Sequence, residues 1–402
     1  MKVSRCLLLI SLLSMGTGIA RAEQQFSWGG FLSAAYLDVS DNSFYGYDSG
    51  DSGPLLEAGL HGYWYLNRYF SVSGLVIARE SGDWFESGLE IDYLNLTTQL
   101  AETESWSANV QLGRFKLSNG IYGATRDIPF TRPSIIMPQS IYHNIFREQN
   151  LRADGVRFNL SYWTESNQEI TFSASVGKEP LDESFSRRFF GPEQSGEFEA
   201  DWNTSIGLRY RPSSAWLFGF DYRRLKLSLK DEIVIPLPIS ETQFAPVPVD
   251  FYFDTDQYLL SVQYSQRYFE ITSELTFREG GTYGKSSSPL GGFVTPAFDG
   301  STDMQAFYLQ GVAYVHPQWQ VLLRYDRVHF TESDIPRNLK DLHDVVIGAS
   351  WQPTNDLLVR LEHHWLTGTS TLPPVNDLPP VSSTYNPERH WRMFALELSY
   401  RF

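Results

Sequence analysis

The chain has 402 residues, with 32 Lys and Arg against 47 Asp and Glu and a formal net charge of −15, a balance that disfavours a nucleic-acid partner. Aromatic residues make up 15% of it, far from the composition of a disordered chain. Beyond residue 22 no run approaches the ~18 apolar residues that a spanning helix requires, so the chain enters a membrane only as a closed barrel, the other architecture that pairs every backbone group in lipid.

Residues 1–22 read as a cleaved leader. Lys2 and Arg5 form its basic start, Leu7 to Leu13 its apolar core, and Ala20-Arg21-Ala22 its cleavage site. The single cysteine, Cys6, lies inside that leader, so the mature chain is expected to hold no disulfide, thiolate metal site or lipid anchor. No metal and no cofactor is expected.

From residue 23 to 402 the dominant signal is apolar alternation with period two, in segments near the ~9–11 residues of a tilted barrel strand. Sixteen segments are predicted, over 25–38, 54–66, 69–79, 87–100, 105–115, 154–164, 168–178, 201–211, 215–229, 257–265, 268–278, 304–315, 318–330, 343–352, 356–366 and 390–402. Connections alternate between short ones, such as Asn67-Arg68 and Gln266-Arg267, and long ones at 39–53, 80–86, 116–153, 179–200, 230–256, 279–303, 331–342 and 367–389. Short turns at one end and long loops at the other define a transmembrane, antiparallel up-and-down β-barrel, an all-β fold. Aromatic residues gather beside the short turns, as at Trp64, Tyr69, Trp163, Trp216, Tyr268, Trp319 and Trp351, and suit an interfacial girdle.

In the final segment Phe394, Leu396, Leu398, Tyr400 and Phe402 alternate with Ala395, Glu397, Ser399 and Arg401. An amphipathic last strand ending on an aromatic residue resembles the assembly signal of bacterial outer-membrane barrels. With sixteen strands and a leader, the chain resembles a Gram-negative porin. In that family the third external loop, after the fifth strand, folds into the lumen and narrows it. Here Gly113-Arg114, Arg126-Asp127, Thr131-Arg132-Pro133, Tyr142 and Asp154-Gly155 resemble porin-like proteins without an assigned substrate, and the loop in question is 116–153. The acidic short signature of the general enterobacterial porins is absent. The resemblance implies an outer-membrane location, contact with outer-membrane lipid and lipopolysaccharide, a homotrimer, and passive diffusion of small hydrophilic solutes.

That loop carries Pro129, Pro133 and Pro138 with Gly120 and Gly123, which shape it, and an apolar set including Ile135, Ile136, Met137 and Phe146, which needs an interior to pack into. It is locally basic in an acidic protein. The candidate constriction residues are Arg114, Lys116, Arg126, Asp127, Arg132, Arg147, Glu148 and Arg152, with Lys116, Arg126, Arg132 and Arg147 expected to face the aqueous path. On the inward parity of the wall, Arg157, Arg209, Arg223, Arg278, Arg360 and Glu362 extend the pattern. A basic constriction favours anions. The alternative role for the same arginines is to pair with wall carboxylates and hold the loop in place.

An enzyme is not expected, and no catalytic residues are assigned: no H-E-x-x-H, G-x-S-x-G or P-loop spacing occurs, and the adjacent His363 and His364 cannot share one face of a strand. The competing readings are a protease- or lipase-type barrel, for which His329 with Asp326 and Asp334 is the one imaginable set, and a structural or adhesive barrel with a plugged lumen. Acid-rich stretches at 45–51 and 182–199 suit divalent cations that bridge lipopolysaccharide, or plain solvation.

Overall fold

A computed structural model describes residues 25–44, 52–82, 88–144, 147–181, 185, 197–229, 233–240, 243–286, 296–301, 303–331, 340–372 and 387–402. The leader, Phe146, Asp334 and most of the acid-rich stretches lie outside the described residues.

The strands are β1 Phe26–Val39, β2 Ser52–Asn67, β3 Phe70–Ser81, β4 Gly88–Glu102, β5 Trp106–Lys116, β6 Arg152–Trp163, β7 Glu169–Lys178, β8 Phe198–Ala200, β9 Asn203–Ser213, β10 Trp216–Leu229, β11 Ile233–Ser240, β12 Gln243–Gln266, β13 Phe269–Ser286, β14 Pro296–Ser301, β15 Met304–His316, β16 Trp319–Phe330, β17 Asp341–Trp351, β18 Leu357–Gly368 and β19 His390–Arg401. Sixteen of them form the antiparallel wall, while β8, β11 and β14 pair only with the long-loop ends of β10, β12 and β13. The barrel closes where β1 meets β19, from Phe31 opposite Arg401 to Val39 opposite Met393. Closure leaves no open edge in the wall.

The sixteen predicted segments correspond to the sixteen wall strands. One correction concerns 230–256 and 279–303, predicted as loops: there β12 begins at Gln243, β13 runs on to Ser286, and β11 and β14 pair with them. Pro236, Pro238, Pro246 and Pro248 are tolerated there because, among the described residues, β11 pairs only with β12, and an outer edge accepts residues that cannot donate.

Short turns gather at one end, and their side chains explain them. Asn67 Oδ1 accepts the Tyr69 and Phe70 N–H groups at 2.9 and 3.1 Å, and Thr103 and Thr354 hydroxyls accept from Trp106 and Leu357 in the same manner. Beside these turns Trp106 packs on Tyr162 at 4.3 Å and Trp319 stacks on Trp351 at 5.7 Å.

Along each strand burial alternates with the pleat. On β19 Met393, Ala395, Glu397 and Ser399 face inward and are buried, while Phe394, Leu396, Leu398 and Tyr400 face outward and are exposed. The outward set continues around the wall through Leu32, Leu60, Ile206, Phe220, Leu260, Leu309, Leu323 and Ile347. Each such side chain left in water would forgo about 1.5–3 kcal/mol of burial, so a continuous apolar belt of this kind belongs in lipid. The polarity is inverted relative to a soluble protein: charges inside, hydrocarbon outside.

Candidate functional site

The interior is occupied by the loop between β5 and β6. Leu117 donates to the Leu151 carbonyl at 3.0 Å and closes its base; between them the chain crosses the lumen and touches wall strands that include β2, β10, β13, β16, β18 and β19. Four inward carboxylates receive its backbone. Asp221 on β10 accepts the Gly120 N–H at 3.0 Å, and Glu274 on β13 accepts Ile121 at 2.8 Å. Glu362 on β18 takes the successive N–H groups of Ile135 and Ile136 at 2.6 and 3.2 Å, and Asp326 on β16 those of Gln139 and Ser140 at 2.5 and 3.2 Å. Hydrogen bonds to ionised acceptors are the strong class, about 1.5–3 kcal/mol each. Gly120, at φ 82°, is required at its turn, since a Cβ there would sit 2.6 Å from the Tyr142 hydroxyl and 2.7 Å from Glu274.

Apolar contacts complete the seat. Ile135 and Ile136 join Leu37, Val39, Val328, Leu342 and Trp391 of the wall in one buried cluster, and Met137, Ile141 and Tyr142 pack with Tyr122, Leu259 and Tyr308. The Tyr142 hydroxyl donates to Glu274 at 2.5 Å and accepts from the Tyr122 N–H at 2.9 Å. Phe130 is less buried, with the Arg401 guanidinium 4.7 Å over its ring.

The basic residues of the loop do not face open water, which corrects the expectation for Lys116, Arg126, Arg132 and Arg147. All four are buried. Lys116 pairs with Asp92 at 2.5 Å and with Asp127; Arg147 also meets Asp127. Arg132 bridges Glu57 at 3.1 Å and Glu397 at 2.8 Å, Arg360 reaches the other Glu397 oxygen at 3.0 Å, and Arg79 joins Glu57 to Asp127. Charges of alternating sign thus run from β4 through the loop to β2, β19 and β18. The physical reason is desolvation: a guanidinium pressed into a crowded lumen needs a carboxylate partner. Burial alone would push the Asp127 carboxyl up, but Arg147, Lys116 and Arg79 hold it well below the usual carboxylate range. Burial, with Arg147 beside it, brings Arg126 down to about 10, so it stays charged at neutral pH while donating to the Tyr142 carbonyl at 2.9 Å.

The other sequence-predicted residues are placed as follows. Arg152 pairs with Glu90 and lies 3.5 Å from Asp92, and Glu148 is buried in α1, Arg147–Leu151. Arg157 donates to the Lys116 carbonyl at 2.6 Å, Arg209 to Asp221 at 2.8 Å and to the Gly120 carbonyl at 3.2 Å, and Arg223 to Asn150 at 2.6 Å and Glu179 at 2.7 Å. Arg278 lies over the Phe253 and Phe330 rings. Arg114 is a second correction: it follows exposed Leu112 on the outward parity of β5 and pairs outside with half-exposed Asp154 at 2.7 Å. Alternation along β5 outweighs its nearness to the loop.

Sequence reasoning missed Glu57, Asp92 and Arg324 and weighed Asp326 only beside His329; Arg324 is fully buried and donates to Ser134 Oγ and the Ile136 carbonyl at 3.0 Å each. Their signal was available as charge at inward parity in mid-strand, where only a polar lumen accepts it. Beside the loop, towards the short-turn end, lies a cavity of about 440 Å³ lined by Tyr122, Phe130, Arg132, Glu270, Gln320 and Arg360 among others.

No family model matches the sequence, and no curated protein matches it. Solved structures do. The outer membrane channel DcaP of Acinetobacter baumannii superposes with a TM-score of 0.57 at 10% identity, covering 96% of this chain and 100% of that one. The fold is that of the outer-membrane porins. An anion-selective porin from Comamonas acidovorans gives 0.53 at 13% identity over 94% and 99%, and OmpT, an outer membrane protein of Vibrio cholerae, gives 0.54 at 11% over 96% and 100%. The chain therefore has the closed-barrel fold of the outer-membrane porins, with its long third loop held inside.

Proposed function

We propose that this porin-like barrel is a passive diffusion channel for small hydrophilic solutes and ions, with a weak preference for anions, working as a homotrimer. The observation that carries the reading is the loop fastened across the interior of a closed barrel by wall carboxylates: it narrows the lumen and stays put. A loop with Lys116, Arg126, Arg132, Arg147 and Arg152 against Asp127 and Glu148 brings surplus positive charge to that passage. Pairing with the wall makes the preference weak. The likeness to an anion-selective porin, and to a trimer form of the Vibrio OmpT, agrees with both parts.

The barrel is proposed to have no enzymatic activity. His329 faces outward and pairs with Asp341 at 2.6 Å, whereas Asp326 is wholly buried on the inward face of the same strand, so the two cannot act on one substrate. Purified protein in liposomes is expected to admit small sugars and amino acids at rates that fall steeply with solute size, without hydrolysing lipid or peptide. Liposomes no more permeable than protein-free ones would contradict the channel.

A further inference from the structure

Charge in the lumen gathers at the loop and its seat, whereas two rows of wall between the loop and the short turns are neutral. Register sets Gln99, Asn109, Asn159 and Ser173 side by side in one inward row across β4 to β7, with Ser107, Ser161 and Thr171 in the row nearer the turns. At strand spacing the first row is roughly 15 Å long. Its groups bond to one another and to the next row: Asn159 donates to Asn109 Oδ1 at 2.9 Å, Gln99 Nε2 donates to Ser107 Oγ at 2.9 Å, and the Ser161 and Thr171 hydroxyls lie 3.4 Å apart. Hydroxyls and carboxamides have more donors and acceptors than these bonds consume, and all but Ser173 are only half-buried.

Half the wall away, between β12 and β18, lies the cavity of about 440 Å³. Clefts of roughly 300–1,000 Å³ take small molecules. The two guanidiniums at its border are already engaged, since Arg132 and Arg360 are buried on Glu57 and Glu397. What the cavity offers a solute lies elsewhere. Glu270 is half-buried, has no basic partner among the described residues, and accepts from Ser265 Oγ at 2.9 Å and the Tyr122 hydroxyl at 3.4 Å. The Gln320 carboxamide makes no hydrogen bond among the described residues, while Gln263 and Gln352 donate at 3.2 Å to Thr272 Oγ1 and the Asn355 carbonyl and keep their own oxygens to accept. The half-buried rings of Tyr314 and Phe130 form its apolar sides. A sugar has the matching complement: hydroxyls that each donate and accept, set on a ring whose C–H faces are apolar. An anion would meet Glu270 and find the guanidiniums paired.

We propose that this cavity is a binding site for a neutral mono- or disaccharide, with Glu270 and Gln320 taking its hydroxyls and Tyr314 its ring face. The neutral rows on β4 to β7 give the same solute hydroxyl partners on the opposite wall. A site so placed lies on the solute path of the proposed channel and rests on that reading for its use, but not for its binding.

The test is calorimetric titration of the purified barrel in nonionic detergent with sucrose, beside ion current in a planar bilayer with and without the same sugar. Wild type is expected to bind sucrose saturably and to lose current as the site fills. The pair E270Q/Y314A is expected to bind about tenfold or more weakly, through one charge-assisted contact made neutral and one ring face lost. Q320A, which removes a carboxamide that holds no other part of the barrel, should weaken binding about threefold or more, and R224Q on the outer face should change nothing. Heats no larger than with protein-free detergent, or wild-type affinity in both E270Q/Y314A and Q320A, overturn the site. Glycylglycine binding more tightly than sucrose and displacing it would assign the cavity to zwitterions and overturn the saccharide. Equal displacement by a polyethylene glycol of similar size, which carries hydroxyls only at its ends, would overturn it too. Sucrose bound by a barrel that carries no current would uphold the site and contradict the channel; current without sucrose binding would do the reverse. Heat-modifiable migration of every variant separates these outcomes from a failure of the barrel itself.

Discussion

Glu397→Ala is expected to raise single-channel conductance and to make the current noisy, the largest change any single wall substitution should produce. Glu397 is fully buried on β19 and accepts from Arg132 and Arg360, with Ser33 Oγ at 3.2 Å. Its removal leaves two guanidiniums in the crowded lumen with one carboxylate, Glu57, still on Arg132. Breaking a buried ion pair from one side costs about 3–5 kcal/mol, because the remaining charge loses its compensation. The closed wall ladder is unaffected, so the loop gives way first. Glu397→Gln keeps an acceptor at the same place and should fall between the two. Conductance and thermal stability equal to wild type in both variants would mean that the carboxylate row does not hold the loop.

Removing Phe402 is expected to reduce assembly into the outer membrane far more than removing one residue from 373–386. The last residue exchanges two backbone hydrogen bonds with Gly30, at 2.9 and 3.0 Å, at the seam where the barrel closes. Its ring meets Trp28 edge-on at 6.2 Å and stacks on Tyr400 at 6.3 Å, over a glycine whose Cβ would lie 2.6 Å from the ring. Two ladder bonds and an aromatic contact are together worth about 2–4 kcal/mol. They are lost at the one place where the first and last strands must find each other, and an unclosed barrel exposes two edges. Heat-modifiable protein in the membrane fraction measures the effect; equal yields from the two deletions would remove the role given to the terminal phenylalanine.

The wall was legible in the sequence because one face of every strand meets lipid and the other a polar lumen, which imposes period two on residues such as Phe394 to Phe402. The outer parts of β12 and β13 were not, since above the membrane that pressure ends and the prolines of 236–248 dominate the local signal. The loop's apolar residues called for an interior to pack into, and its place in the lumen came from the resemblance to porins, whose loop after the fifth strand folds inward. The orientation of its charges did not, because Arg132 finds its partners 75 and 265 residues away in the chain, at Glu57 and Glu397. Nothing local to Thr131-Arg132-Pro133 encodes that. Arg114 shows the converse, a local rule overlooked: alternation from outward Leu112 carries it outward, although at the strand's end Lys116 is buried on Asp92 and Asp127.

The central claim, a lumen narrowed by a basic loop that the wall holds in place, is tested most directly by ion current across a planar bilayer under a salt gradient. The account predicts steady channels that tolerate voltage and a reversal potential displaced modestly to the anion side, moving toward cations when Arg126 and Arg132 are both replaced by glutamine. A cation-side reversal potential in the wild type, one unmoved by the double replacement, or no current at all would contradict it.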